Sequence, residues 1–189
     1  MTATEHEQYS LLIQACENGD VDRVQQQLGS IKNPLQYAYA LDTAAHRGQV
    51  DIVRCLLPLC EQRDIDGILI NACVQGHTHV VECLVQAKAL KHYNSPLQWA
   101  AKYGHTEIID ILLPVSNPQA ENSLALLWAV QHGHTEIVQQ LIAHSDCHKV
   151  LKQLKSNEAE ATFLKNEMQK QRLLSEVKII EKPGAPRKM

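Results

Sequence analysis

Ten histidines and six cysteines in 189 residues are the side chains that could do chemistry here, so their spacing is the first clue to function. Two H-x-H pairs, His77/His79 and His132/His134, could chelate a metal from a turn. No third Cys, His or carboxylate is spaced to complete the three or four ligands that zinc requires. The cysteines stand at 16, 55, 60, 73, 83 and 147 without a C-x-x-C pair, and read as small apolar core residues rather than ligands or disulfides. The acidic column Asp22, Asp51, Glu107, Glu136 falls at helix starts, where the helix dipole favours negative charge. No nucleophile elbow, phosphate-binding loop or H-E-x-x-H helix occurs. No catalytic residue, metal or cofactor is therefore assigned, and the chain is expected not to be an enzyme.

The elements that position these residues are periodic. Gly19, Gly48, Gly76, Gly104 and Gly133 are separated by 29, 28, 28 and 29 residues, a fixed step that means a stack of repeats. The fullest copy runs from Ser95 to Leu113. Within it Leu97, Ala100, Ala101 and Gly104 share one helical stripe, and the small residues let a neighbouring helix approach closely. Gly104 suits a helix stop at positive φ. Thr106 is placed to cap the second helix, with Glu107 in its first turn. Ile108, Ile109, Leu112 and Leu113 form the second apolar stripe, and Pro114 ends it. Neither helix buries much surface alone, so stacked neighbours must supply the rest of the core.

These residues resemble the ankyrin repeat, which reads roughly T-P-L-H-x-A-A-x-x-G-H-x-E-V-V-x-x-L-L. Pro96, Leu97, Ala100, Ala101, Gly104, His105 and Glu107 match it in the fourth copy, and Ala129, Gly133, His134, Glu136, Ile137, Val138 and Leu141 in the fifth. The second copy matches at Ala44, Ala45, Gly48, Asp51, Ile52, Val53, Leu56 and Leu57, and the third at Ala72, Gly76, His77, Val80, Val81 and Leu84. The first copy, with Leu12, Ala15, Gly19 and Leu28, is more polar, as an end cap should be. Each copy lacks the stretch that builds projecting β-hairpins, in the manner of short-period bacterial ankyrin units. The resemblance implies an all-α, ankyrin-type helical solenoid of about five repeats of 28–29 residues with a long C-terminal helix. It also implies that the first helices line a concave groove that holds another protein.

Applied residue by residue, that groove has two columns, one residue per repeat. The first is Gln14, Thr43, Asn71, Trp99 and Trp128, and the second is Asn18, Arg47, Gln75, Tyr103 and His132. Lys102 and its counterparts form a flanking margin. The candidate partner-binding residues are Trp99, Tyr103, Trp128, His132, Arg47, Gln75, Asn71, Lys102 and Asn18. Trp and Tyr are frequent interface anchors, although the tryptophan slot could equally serve packing across the stack.

Charge and composition set the boundaries. Residues 1–148 are read as the solenoid, 149–178 as a helix that caps it or binds a partner, and 179–189 as a disordered basic tail. The first segment carries a net −8 and residues 149–189 a net +5. No apolar run reaches the roughly 20 residues of a membrane helix. The polar N-terminus is not a secretory signal, so a cytoplasmic location is expected, with export to a host cell without a cleaved signal peptide as the alternative. The expected function is a non-enzymatic protein-binding module: a scaffold, an inhibitor or immunity factor, or a bacterial effector. The alternative is a nucleic-acid-associated adaptor using the basic tail, which lacks the interleaved aromatics of such surfaces.

Overall fold

The computed structural model describes residues 3–31, 33–87 and 93–180. Over these it is all-α, with twelve α-helices, three single 3-10 turns and no strand among the described residues. The expected basic tail 179–189 lies outside the described residues beyond Ile180. The chain forms two compact units, Met1–Asn117 and Pro118–Met189.

In the first unit α1 (Ala3–Asn18), α3 (Pro34–His46), α5 (Gln62–Gln75) and α7 (Asn94–Tyr103) pack side by side in chain order. Their partners α2 (Val21–Gln27), α4 (Val50–Leu56), α6 (Thr78–Gln86) and α8 (Thr106–Leu112) form the second row. The core is the periodicity made solid. Leu12, Leu41, Leu69 and Leu97, each seven residues before its glycine, are buried, as are the alanines Ala15, Ala44, Ala72 and Ala100. The second helices contribute Ile52, Val53, Leu56, Val80, Val81, Leu84, Ile108, Ile109 and Leu112, all buried. Each leucine of this kind contributes about 1.5–3 kcal/mol by leaving water. Pro58 and Pro114 cannot continue an α-helix, and α4 and α8 each end in a 3-10 turn there, Leu57–Leu59 and Leu113–Val115.

The turn between paired helices is the same in every repeat. The residue after the glycine donates its N–H to the carbonyl of the buried alanine, as in His77 to Ala72 at 3.0 Å and His105 to Ala100 at 3.1 Å. Gly76 and Gly104 adopt left-handed φ of +79° and +82°, so the bond forms without the Cβ penalty other residues carry. Thr106 is not the cap expected of it. His105 occupies that position, Thr106 is the first helical residue, and no side chain caps the helix.

The histidines then tie one repeat to the next. His77 Nε2–H donates to the His46 carbonyl at 2.8 Å, and His105 Nε2–H to the Val74 carbonyl at 3.0 Å. Both acceptors lie at the C-terminal end of the preceding first helix, where carbonyls lack intrahelical partners. Each ring also covers the preceding glycine: a Cβ on Gly76 would stand 2.6 Å from His105 Cε1, and one on Gly48 would stand 2.9 Å from His77 Nδ1. Gln49 covers Gly19 in the same way.

The second unit holds α9 (Ala120–Gln131), α10 (Thr135–Ile142), α11 (Cys147–Gln153), a 3-10 turn at Leu154–Ser156 and α12 (Glu158–Ile180). The sequence reading of one continuous helix from residue 149 is corrected here. Asp146 caps α11 by accepting the Lys149 N–H at 3.2 Å, the 3-10 turn follows, and Asn157 restarts the chain by accepting the Glu160 N–H at 3.3 Å. Helix α11 packs on α9 and α12 on α10, so the pair continues the repeat pattern without its glycine. Leu154 and Leu164 are buried. Glu167, only 2 % exposed, accepts from Gln139 of α10 at 2.8 Å and pairs with Lys170 at 2.5 Å. Gln171 adds a bond to the Gln139 carbonyl.

Two outcomes follow from these contacts. Gly76→Ala should lower stability by about 2–4 kcal/mol in thermal or urea unfolding, from left-handed strain plus the clash with His105. In a His105→Ala background only the backbone part, about 1–2 kcal/mol, should remain; an unchanged penalty would contradict the packing of the imidazole on the glycine. Glu167 is held below the usual carboxylate range, first by the hydrogen bond from Lys170 and then by that from Gln139. A depressed folded-state value means that its stabilisation is present above the unfolded value of about 4.3 and is lost as pH falls through the folded value. The protection factors of α12 amides, taken against the intrinsic exchange rate at each pH, should therefore fall on acidification below about pH 4.3, and less so in Glu167→Gln. Equal acid sensitivity of the two proteins would remove Glu167 as the anchor.

Candidate functional site

The seven candidate residues in the first unit all lie on its row of first helices. Asn18 and Gln75 are the exposed last residues of α1 and α5, and Arg47 follows α3. Arg47 reaches Glu17 of α1 at 4.0 Å with both side chains about half exposed, a pair of small energetic worth. The Asn71 amide donates to Asp42 Oδ1 of α3 at 3.5 Å.

The aromatic residues of α7 form the most organised surface cluster. Trp99 and Tyr103, one helical turn apart, stack with ring centroids 6.1 Å apart and planes inclined by 20°. Lys102 is not a separate margin, as the sequence suggested. Its Nζ lies 4.7 Å from the Trp99 ring centre and 5.7 Å from that of Tyr103, within cation–π range of both. Trp99 is half-buried and Tyr103 exposed, whereas Leu97, Ala100 and Ala101 on the opposite stripe are buried. The helix thus spends one face on the core and presents two pre-stacked rings and a cation on the other.

Trp128 and His132 belong to the second unit. Trp128 is half-buried on α9, and His132 Nδ1–H donates to the Trp128 carbonyl at 2.9 Å. The His132 and His134 rings stack at 6.2 Å with a 10° tilt. The H-x-H pair is thus a ring stack; among the described residues no group of three His, Cys, Asp or Glu side chains could hold a metal ion. Burial raises the thiols of Cys16 and Cys73 to about 12, which suits packing and not nucleophilic attack.

One part of the surface escaped the two-column reading. Those columns covered only the last turns of each first helix. Tyr39 and Leu35 stand one and two turns before Thr43 on α3, and are 65 % and 50 % exposed. The i, i+4 spacing of Leu35, Tyr39 and Thr43 was the available signal. Tyr9 of α1 is close enough to Tyr39 that its phenol pKa is raised, first by burial and second by that neighbour.

Among the described residues no helix is long and apolar enough to cross a membrane. No curated protein matches the chain. A family model described as Ankyrin repeats (3 copies) matches residues 12–92 and 69–153, most of the sequence and all of its glycine-punctuated copies except the start of the first. The chain belongs to the ankyrin-repeat family, whose repeats generally mediate protein–protein interaction.

Proposed function

We propose that this protein is a non-enzymatic module that holds a partner protein against the first-helix face of its repeats. The observation that carries this reading is the Trp99–Lys102–Tyr103 cluster, in which two large rings are pre-stacked at the surface of a helix whose opposite stripe supplies the stability. Such rings bury much area on binding and lose little conformational freedom, which is why Trp and Tyr dominate interface energetics. Trp128 and His132 are the corresponding residues of the fifth repeat, and Asn18, Arg47, Asn71 and Gln75 offer polar contacts from the earlier ones.

Four of the side chains suited to chemistry are otherwise engaged. His77 and His105 are committed to backbone carbonyls, and two of the thiols are buried with raised pKa. The module adds contacts and not chemistry, as a scaffold or inhibitor does. The net −8 of residues 1–148 favours a partner with a basic surface. In this reading residues 1–148 carry the binding surface and the segment 149–178 closes the array, with α12 seated on α10. Six free cysteines fit a reducing, cytoplasmic setting.

The test is a Trp99→Ala/Tyr103→Ala variant, shown by circular dichroism to keep its helicity. Its affinity for a partner captured by the wild type should fall by about 2 kcal/mol or more, roughly thirtyfold. Its melting temperature should change little, because the altered side chains lie off the core. Undiminished binding would return the tryptophan slot to a packing role.

A further inference from the structure

Gly67 lies in the middle of α5 with ordinary helical φ, so no backbone conformation demands a glycine there. Packing does not demand one either: among the described residues nothing lies within 4 Å of where its Cβ would stand. Glycine is nevertheless the poorest helix former after proline. What its missing side chain leaves is space. Gly67 forms the floor of a groove of about 300 Å³ between α3 and α5. Leu35, Tyr39 and Ile68 line it with apolar surface, and Asp42 with Asn71 add polar groups one turn further along α3 and α5. Leu35 and Tyr39 are large apolar groups left in water at 50 % and 65 % exposure. Among the described residues Asp42 meets a long 3.5 Å hydrogen bond from the neutral Asn71 amide, which does not neutralise its charge.

We propose that this groove binds a peptide segment in which an arginine or lysine stands beside a large apolar side chain. The apolar group enters the notch above Gly67, against Ile68 and Leu35. The cation lies along the Tyr39 ring and pairs with Asp42. Charge complementarity selects this occupant: a carboxylate lines the groove, and residues 1–148 carry a net −8 that draws basic segments in. The proposal rests on the first-helix face being the binding face, but it uses residues other than Trp99 and Tyr103.

The full-length, isotope-labelled protein is titrated with N-acetyl-Arg-Leu-amide and with N-acetyl-Glu-Leu-amide, and amide chemical shifts are followed. The arginine probe should move signals of residues 35–42 and 67–71, and should bind about threefold or more tighter than the glutamate probe. Asp42→Asn should abolish that preference. Gly67→Ala should raise the melting temperature and yet weaken the arginine probe by about fourfold, since one methyl occupies the notch. Shifts elsewhere, no preference between the probes, or a stabilised Gly67→Ala that binds undiminished would each overturn the proposal. So would concentration-dependent shifts of the same signals without probe, which would give the groove to a second copy of the chain. None of those results touches the Trp99 and Tyr103 reading, whose own variant tests it separately.

Discussion

The contact on which the first unit depends is the side chain that follows each glycine, laid back onto the repeat before it. At His77 and His105 one histidine does three things. Its backbone N–H closes the turn on the buried alanine, its Nε2–H satisfies a carbonyl left over at the end of the preceding first helix, and its ring covers the preceding glycine. The last of these makes the glycine necessary twice over, once for its left-handed φ and once for the absent Cβ. Because the bonds run from one repeat to the next, they fix the spacing of the first helices, and with it the spacing of whatever those helices present to solvent.

That constraint separates the two kinds of residue along each first helix. Leucine and alanine slots recur in every copy because the stack leaves no room for change there. The opposite stripe varies from Gln14 to Thr43, Asn71 and Trp99, all of them at least partly exposed. A residue on that stripe has a freedom to vary that the buried slots lack. Trp99 and Tyr103 use the freedom to build a stacked pair with Lys102, and Gly67 uses it to leave a space.

Much of this was legible in the sequence for one physical reason. A fixed period repeats the same local physics, so weak signals such as Leu97, Ala100 and Gly104 reinforce one another across copies. The core leucines, the alanines, the left-handed Gly104 and the burial of Cys16 and Cys73 all follow from that. The legible part ends where the period ends. Apolar spacing after residue 149 is helical throughout, and only the competition of Asp146 and Asn157 side chains for backbone N–H groups divides it into α11 and α12. The aromatic faces were only partly readable. Trp99 and Tyr103 stood out by type, but the seat of Lys102 over both rings depends on side-chain rotamers. Tyr39 lines the same groove as Gly67 of α5, a relation between two repeats that neither copy shows alone. That His105 and not Thr106 holds the N-cap position turned on one residue of helix boundary, the least determined feature of any periodic pattern.

The central claim is that the repeats present their partner with the row of first helices and use the second row for the stack alone. Photo-cross-linking tests it most directly. A benzophenone amino acid is placed singly at Tyr39 and Tyr103 on first helices, and at Asp51 and Asp110, exposed on α4 and α8. The account predicts one defined protein adduct, the same from Tyr39 and Tyr103, and none from Asp51 or Asp110. Adducts formed from the second-helix positions and absent from the first would contradict it.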